Sequence, residues 1–172
     1  MTGMKAIITA ILLLAGMQTM AQTKNYDTLR DAENGQLVYK GSFTMSDLNA
    51  ERSFEWMRTG AAEYTPDAKD MEVLTAHLGQ YKLIIFMGTW CDDSHNLVPK
   101  LCKILNVANY PATNVTLYGV DREKTTGSKI EKTYNVTLVP TIIIMDGDKE
   151  KGRITETVDK SVEADMRKIM GL

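Results

Sequence analysis

The chain has little of what usually announces a function. Among its 172 residues are only two cysteines, Cys91 and Cys102, and two histidines, His77 and His95. A metal centre built from so few soft ligands is excluded in practice: Cys91 and His95 with carboxylate neighbours make a poor zinc site. Charge is nearly balanced, at 20 basic against 22 acidic residues. A net charge of −2 gives no pull toward nucleic acid or an anionic membrane. No internal repeat, low-complexity run or Pro/Gly/Ser-rich linker interrupts the chain, so residues 22–172 read as a single domain. No apolar run reaches the ~20 residues that a bilayer span needs.

The one long apolar stretch lies at the start. Lys5 follows a short lead, and Ala6 to Ala15 is apolar apart from Thr9. Thr19 and Ala21 then place small residues at −3 and −1 before Gln22. This is the layout of a secretory signal peptide over residues 1–21. It is too short for a membrane anchor, and no cysteine near the cleavage point supports a lipid anchor. The expected protein is therefore exported, periplasmic or extracellular, with no membrane span after cleavage.

What remains is globular, with 44% hydrophobic and 24% charged residues. Gln36 to Thr44 reads as a strand, and Ser46 or Asp47 caps a helix to about Tyr64. Pro66 and Asp67 begin another helix that ends at Gly79. Together they form an N-terminal extension over residues 22–79. The core, from about residue 80 to 172, starts with Leu83 to Met87, a continuous apolar run typical of a strand buried on both faces. A turn through Gly88 leads to a helix from Asp92 to Ala108, with Pro99 expected to kink it. A strand Val115 to Val120, a helix Ser128 to Tyr134 and a strand Thr141 to Met145 follow. The Asp146-Gly147-Asp148 turn leads into a strand Arg153 to Val158, and a helix closes the chain from Ser161 to Met170. Two crossovers that imply parallel pairing, then a hairpin, specify an α/β fold: a central mixed β-sheet flanked by helices.

The chemistry centres on Cys91. Strand, turn and helix place it at a helix N-terminus, where the dipole and free N–H groups stabilise a thiolate. A thiolate attacks a disulfide sulfur to form a mixed disulfide. Asp92 and Asp93 suit the helix dipole but oppose a negative sulfur, and a protonated His95 would offset them. Ser94 is placed to donate a hydrogen bond to the sulfur. Trp90 is expected to pack under the site and touch clients. Cys102 lies eleven residues further on the same helix, roughly 16 Å away. Bridged Cα atoms lie about 4.4–6.8 Å apart, so the two cysteines do not pair. Cys102 reads as a helix residue, although its place between Leu101 and Lys103 also admits partial exposure and an intermolecular role; His77 and Asp121 read as ordinary structural residues, and the methionines as core filling.

The region resembles thioredoxin. Trp90 and Cys91, Pro99 eight residues later, Val139-Pro140-Thr141 at the next buried strand, and the Asp146-Gly147 turn agree in order and spacing. The resemblance spans about Leu83 to Met170, and the Thr-Trp-Cys-Asp-Asp-Ser-His run is also similar to small exported bacterial members. It implies a thioredoxin-like fold, a cis Val139–Pro140 peptide beside the cysteine, and client docking along Trp90, Val139 and Pro140. Two departures go together. Ser94 stands where thioredoxins have the second cysteine, and Ile85 stands where they have a buried aspartate that serves it.

The reading is thus a monothiol thiol–disulfide oxidoreductase of the cell envelope, reductase- or isomerase-like. Cys91 is the nucleophile, Ser94 its polar partner, and Asp92, Asp93 and His95 are modulators. The acidic pair argues against a strong oxidant. Partners are clients bearing thiols or disulfides and an external reductant; no cofactor and no metal is called for. The competing reading is a non-redox binding or chaperone module on the same fold. Mass spectrometry of the exported protein should find Gln22 at its N-terminus; retention of Met1 would overturn the leader.

Overall fold

The computed structural model describes residues 24–172. The signal peptide expected over residues 1–21 lies outside the described residues. Six strands, β1 (Asn25–Arg30), β2 (Leu37–Phe43), β3 (Lys82–Met87), β4 (Val115–Gly119), β5 (Thr141–Asp146) and β6 (Lys149–Thr155), form one sheet in the order β1-β2-β4-β3-β5-β6. Its centre is β3 (Lys82–Met87), in which Leu83, Ile85, Phe86 and Met87 are fully buried. That is why the run is apolar at successive positions rather than alternating. β4 (Val115–Gly119) lies parallel to β3 on one side, and β5 (Thr141–Asp146) lies antiparallel on the other. β6 (Lys149–Thr155) completes a hairpin with β5. It stops before Val158 because Glu156 takes a left-handed φ of 57° and leaves the ladder.

The second crossover is not parallel, contrary to the sequence expectation. The helix between β4 and β5 shrinks to α5 (Ile130–Thr133), four residues long. One turn of helix advances about 6 Å, against roughly 20 Å for a six-residue strand. The connection therefore does not return along the sheet. It crosses its end, and β5 starts with Thr141 opposite Phe86, close to where β3 finishes.

The N-terminal part also holds more than one strand. β1 (Asn25–Arg30) pairs antiparallel with β2 (Leu37–Phe43), and β2 pairs antiparallel with β4. β1 is an edge strand whose side chains are mostly exposed, so no apolar alternation marks it. Tyr26 alone turns inward, 4.4 Å from Tyr39 between ring centres. The single helix expected to Tyr64 is two: α1 (Met45–Ala50) and α2 (Glu55–Glu63), joined by a 3-10 turn. Thr44 and Asp47 form a capping box at the start of α1. Glu51 then leaves the helix, and its carboxylate accepts the Ser53 N–H at 2.9 Å, starting the turn. The break brings Leu48, Phe54 and Met57 into one core.

α3 (Ala68–His77), α4 (Asp92–Val107) and α6 (Val162–Met170) complete the layer. α4 continues through Pro99, whose ring lies against Gly60 of α2. The long helices bury their apolar sides against one face of the sheet, with Leu83, Ile85, Met87 and Leu117. The opposite face carries Phe86, Val120, Val139, Ile143 and Met145, covered by the segment around α5. Among the described residues no helix is long and apolar enough to cross a membrane.

β2 and β4 approach so closely at Gly119 that a Cβ there would lie 2.0 Å from the Tyr39 carbonyl oxygen. Because the obstacle is backbone, Gly119→Ala should destabilise the protein by at least the upper end of the ~1–3 kcal/mol typical of overpacking. Chemical denaturation measures this, and an unchanged midpoint would contradict the close approach.

Candidate functional site

The site forms where β3 ends. Met87 is the last paired residue, and the chain turns through Gly88, Thr89 and Trp90 into α4. Two side chains fasten that turn. The Thr89 hydroxyl donates to the Leu37 carbonyl at 2.9 Å and accepts the Tyr39 N–H at 3.1 Å, tying the turn to β2. The Ser94 hydroxyl oxygen accepts the Gly88 N–H at 3.2 Å. Both residues are buried, so each bond replaces water that cannot reach the backbone there. The Cys91 N–H donates to the Gly88 carbonyl at 3.1 Å, and Cys91 becomes the N-cap of α4 in extended conformation.

Cys91 is half-buried, and both cysteines are free thiols. Its Sγ lies 3.4 Å from the Val139 carbonyl oxygen. The Val139–Pro140 peptide is cis, and both residues are buried. The structure therefore brings Cys91, Trp90, Val139 and Pro140 together although 48 residues separate the cysteine from Val139.

Ser94 and His95 are placed differently from expectation. Ser94 uses its oxygen on Gly88, not on the sulfur, because one turn into the helix its side chain points back at the end of β3. His95 turns away from the sulfur as well. Its Nε2 lies 2.8 Å from the Thr89 carbonyl, which requires the proton on Nε2, and its ring stacks on Trp56 at 4.1 Å. Its Nδ1 is 3.9 Å from Asp92, whose side chain is fully exposed. Asp93 is exposed too. Ile85 is buried at the position where the resemblance implies an aspartate.

The residues that the sequence reading missed surround Trp90. Its indole N–H donates to the Val120 carbonyl at 2.9 Å. Arg122 lies 4.8 Å and Lys124 4.9 Å from its ring centroid. Arg122 donates through Nε and Nη2 to both oxygens of Asp31, at 2.7 and 3.1 Å, and reaches Glu33 at 2.8 Å. Those bonds from Arg122 are the main cause that lowers the Asp31 carboxyl to about 2, and Asp31 in turn raises the Arg122 value. A signal did exist: the loop after β4 must lie beside the loop after its parallel neighbour β3, since both leave the same end of the sheet.

Cys102 stands apart. It is buried, burial pushes its thiol up, and it forms part of the wall of a cavity of about 730 Å³ between β1, β2 and α4 that Cys91 does not line. Among the described residues no group of three or more His, Cys, Asp or Glu side chains could hold a metal ion.

Comparison with known proteins gives one family. The sequence matches the thioredoxin family over residues 63–168, more than half of the chain. No curated protein matches. Among solved structures, a protein of unknown function from Pseudomonas aeruginosa is similar at 12% identity and a TM-score of 0.49, over 77% of this chain and 81% of its own. Thioredoxin O2 from Arabidopsis thaliana, in its oxidised state, is similar at 22% identity and a TM-score of 0.38, over 60% of this chain and 82% of its own.

The Asp31–Arg122 pair predicts an acid dependence. The folded carboxyl, at about 2, lies below its ordinary 3.8. Its stabilisation is fully present above that ordinary value and is lost as pH falls through about 2. The stability gap between wild type and Asp31→Asn should hold steady down to about pH 4.5 and close toward pH 2. Thermal melts across that range test it; a gap independent of pH would show that the pair contributes nothing.

Proposed function

Because this chain belongs to the thioredoxin family, whose domain carries a general thiol–disulfide oxidoreductase-like role, we propose that it is a monothiol exchanger acting through Cys91 in the cell envelope. The observation that carries the reading is the placement of Cys91: a half-exposed thiol at the N-terminus of a 16-residue helix, its sulfur 3.4 Å from the Val139 carbonyl beside a cis proline. The helix N-terminus favours negative charge where the thiolate forms. Trp90, Val139 and Pro140 supply the edge against which an extended client backbone lies.

The exchange consists of successive thiolate displacements. The Cys91 thiolate attacks one sulfur of a client disulfide; the new S–S bond joins Cys91 to the client, and the other client sulfur leaves as a thiolate. No second cysteine stands at position 94, so Cys91 does not resolve that bond within its own turn. A second thiolate, from the client or from an external thiol, attacks the client sulfur of the mixed disulfide and releases the Cys91 thiolate. When the client's own thiol does this, the client is isomerised without net oxidation. When an external thiol does, the client is left in a mixed disulfide with it; a second external thiol attacks that bond, so the client ends as a dithiol with two electrons gained and the two external thiols leave as one disulfide. The Ile85 side chain offers no proton acceptor, in keeping with a site that has no second thiol to deprotonate. The leader over residues 1–21 supports export.

Alkylation at neutral pH separates this from a binding module: Cys91 should react rapidly in the folded protein and Cys102 only after unfolding, whereas a slow Cys91 would favour the binding module. In mixed-disulfide trapping, Cys91→Ala should lose all adducts and Cys102→Ala should keep them. Equal behaviour of wild type and Cys91→Ala would overturn the mechanism.

Ser94→Cys, in a Cys102→Ala background, should close a reversible local disulfide with Cys91, while the parent stops at mixed disulfides. It should also cost about 1 kcal/mol of stability, because the Gly88 N–H loses its hydroxyl acceptor. Mass spectrometry of oxidised protein reads the first effect and urea denaturation the second.

A further inference from the structure

Arg122 is the most heavily constrained side chain near Cys91 that the exchange mechanism leaves unused. Its guanidinium is gripped by both oxygens of Asp31 and by Glu33. The two-point contact fixes the plane of the group as well as its position. Asp31 is itself fixed, since its Oδ1 also accepts the backbone N–H groups of Glu33 and Asn34 at 3.0 Å each. These residues form the turn between β1 and β2. On its other side Arg122 faces the Trp90 ring, whose edge is held by the Val120 carbonyl. Lys124 faces the same ring and donates to the Arg122 carbonyl at 2.9 Å. Trp90 immediately precedes Cys91, and both pack into the cluster with Val120 and Val139. Negative charge on Cys91 is the smallest of the causes that raise the Arg122 value, after Asp31 and Glu33.

We propose that Arg122 is a positioning residue for Cys91: the Asp31 and Glu33 carboxylates hold it, it holds Trp90, and the β1–β2 turn thereby governs the reactivity of a thiol that it does not touch. The inference rests on the thiol-exchange reading and adds a positioning residue to it.

Charged groups approach the site from several sides. On α4 these are Asp92, Asp93 and His95. After β4 they are Arg122, Lys124 and Asp121, the last paired with Lys40 of β2. Across from them stand Asp31 and Glu33. The Val139–Pro140 segment brings only a carbonyl. This arrangement separates positioning from simple charge. Asp31→Asn removes a neighbouring anion and leaves the Arg122 cation in place. If Arg122 acted by charge alone, that change would speed Cys91; if it acts by position, the loosened guanidinium slows it.

The test is the rate of alkylation of Cys91 by neutral iodoacetamide in the purified protein, measured from pH 5 to 10 in a Cys102→Ala background, with circular dichroism to establish folding. Arg122→Gln and Asp31→Asn should each slow the reaction about three- to tenfold at pH 7 and move the midpoint of the pH profile upward. The double variant should be no slower than Arg122→Gln alone, as expected of two residues acting through one contact. Glu33→Gln, at an exposed position, should slow it about twofold and serves should the other variants not fold. A folded Asp31→Asn that reacts as fast as the parent or faster, or an unchanged Arg122→Gln, overturns the proposal; if neither folds, an unchanged or faster Glu33→Gln overturns it. A parent whose Cys91 reacts more slowly than the same cysteine in urea overturns the thiol-exchange reading instead.

Discussion

Leu83, Ile85, Phe86 and Met87 all lose their exposure to water, so β3 has to lie inside the sheet with a covered face on each side. Everything at the site follows from where that strand stops. The backbone groups of Gly88 and Thr89 emerge from the ladder into a buried corner, where an unpaired amide would be costly. Ser94 supplies the partner for the Gly88 N–H and His95 the partner for the Thr89 carbonyl, while the Thr89 hydroxyl ties the turn to β2. With the turn fastened at both ends, Cys91 has one place to go: the N-cap of α4, facing the segment that enters β5. The position of the sulfur is thus set by backbone satisfaction rather than by contacts of the sulfur itself.

The electrostatic surroundings of Cys91 divide by element. α4 contributes carboxylates in its first turn, where its own dipole favours them. The loop after β4 contributes two cations, and those cations are stacked on an aromatic ring instead of being left in water. Stacking lets the guanidinium approach the site while its fork remains committed to Asp31. His95, the residue expected from the sequence to balance Asp92 and Asp93, is instead occupied with the Thr89 carbonyl and Trp56. The balance therefore comes from outside the helix.

Much of this was legible in the sequence. The apolar run of β3, the helix that follows it and the Val139-Pro140-Thr141 segment carry strong local patterns, and they delivered the sheet centre and the residues around the sulfur. What was not legible has physical reasons. β1 is an exposed edge strand, so its side chains carry no apolar period. The helix expected to run to Tyr64 hides a break at Glu51 because Ala50, Glu51 and Arg52 are all good helix formers and no Gly or Pro marks the place. The direction of β5 depends on how far α5 advances, which periodicity over a few residues does not reveal. Ser94 and His95 were assigned from their spacing to Cys91, but buried backbone groups at Gly88 and Thr89 competed for the same side chains and won. Arg122 lies in no motif; it reaches Trp90 only through the parallel pairing of β3 with β4 and is gripped only because the β1–β2 turn lies alongside.

The contacts that fix the finished fold join distant parts of the chain. Asp31 and Arg122 are 91 residues apart, and Tyr64, whose hydroxyl donates to the Glu163 carboxylate that fastens α6, is 99 residues from it. A chain synthesised from its N-terminus presents the β1–β2 hairpin, marginal by itself, long before Arg122 emerges to meet Asp31. Until then the hairpin has an open edge along β2, and Cys91 is a thiol in an incompletely ordered turn. The same topology that gives the finished protein its fixed corner makes nascent chains vulnerable to pairing with one another, and growth of the chain rather than local folding sets when that exposure ends.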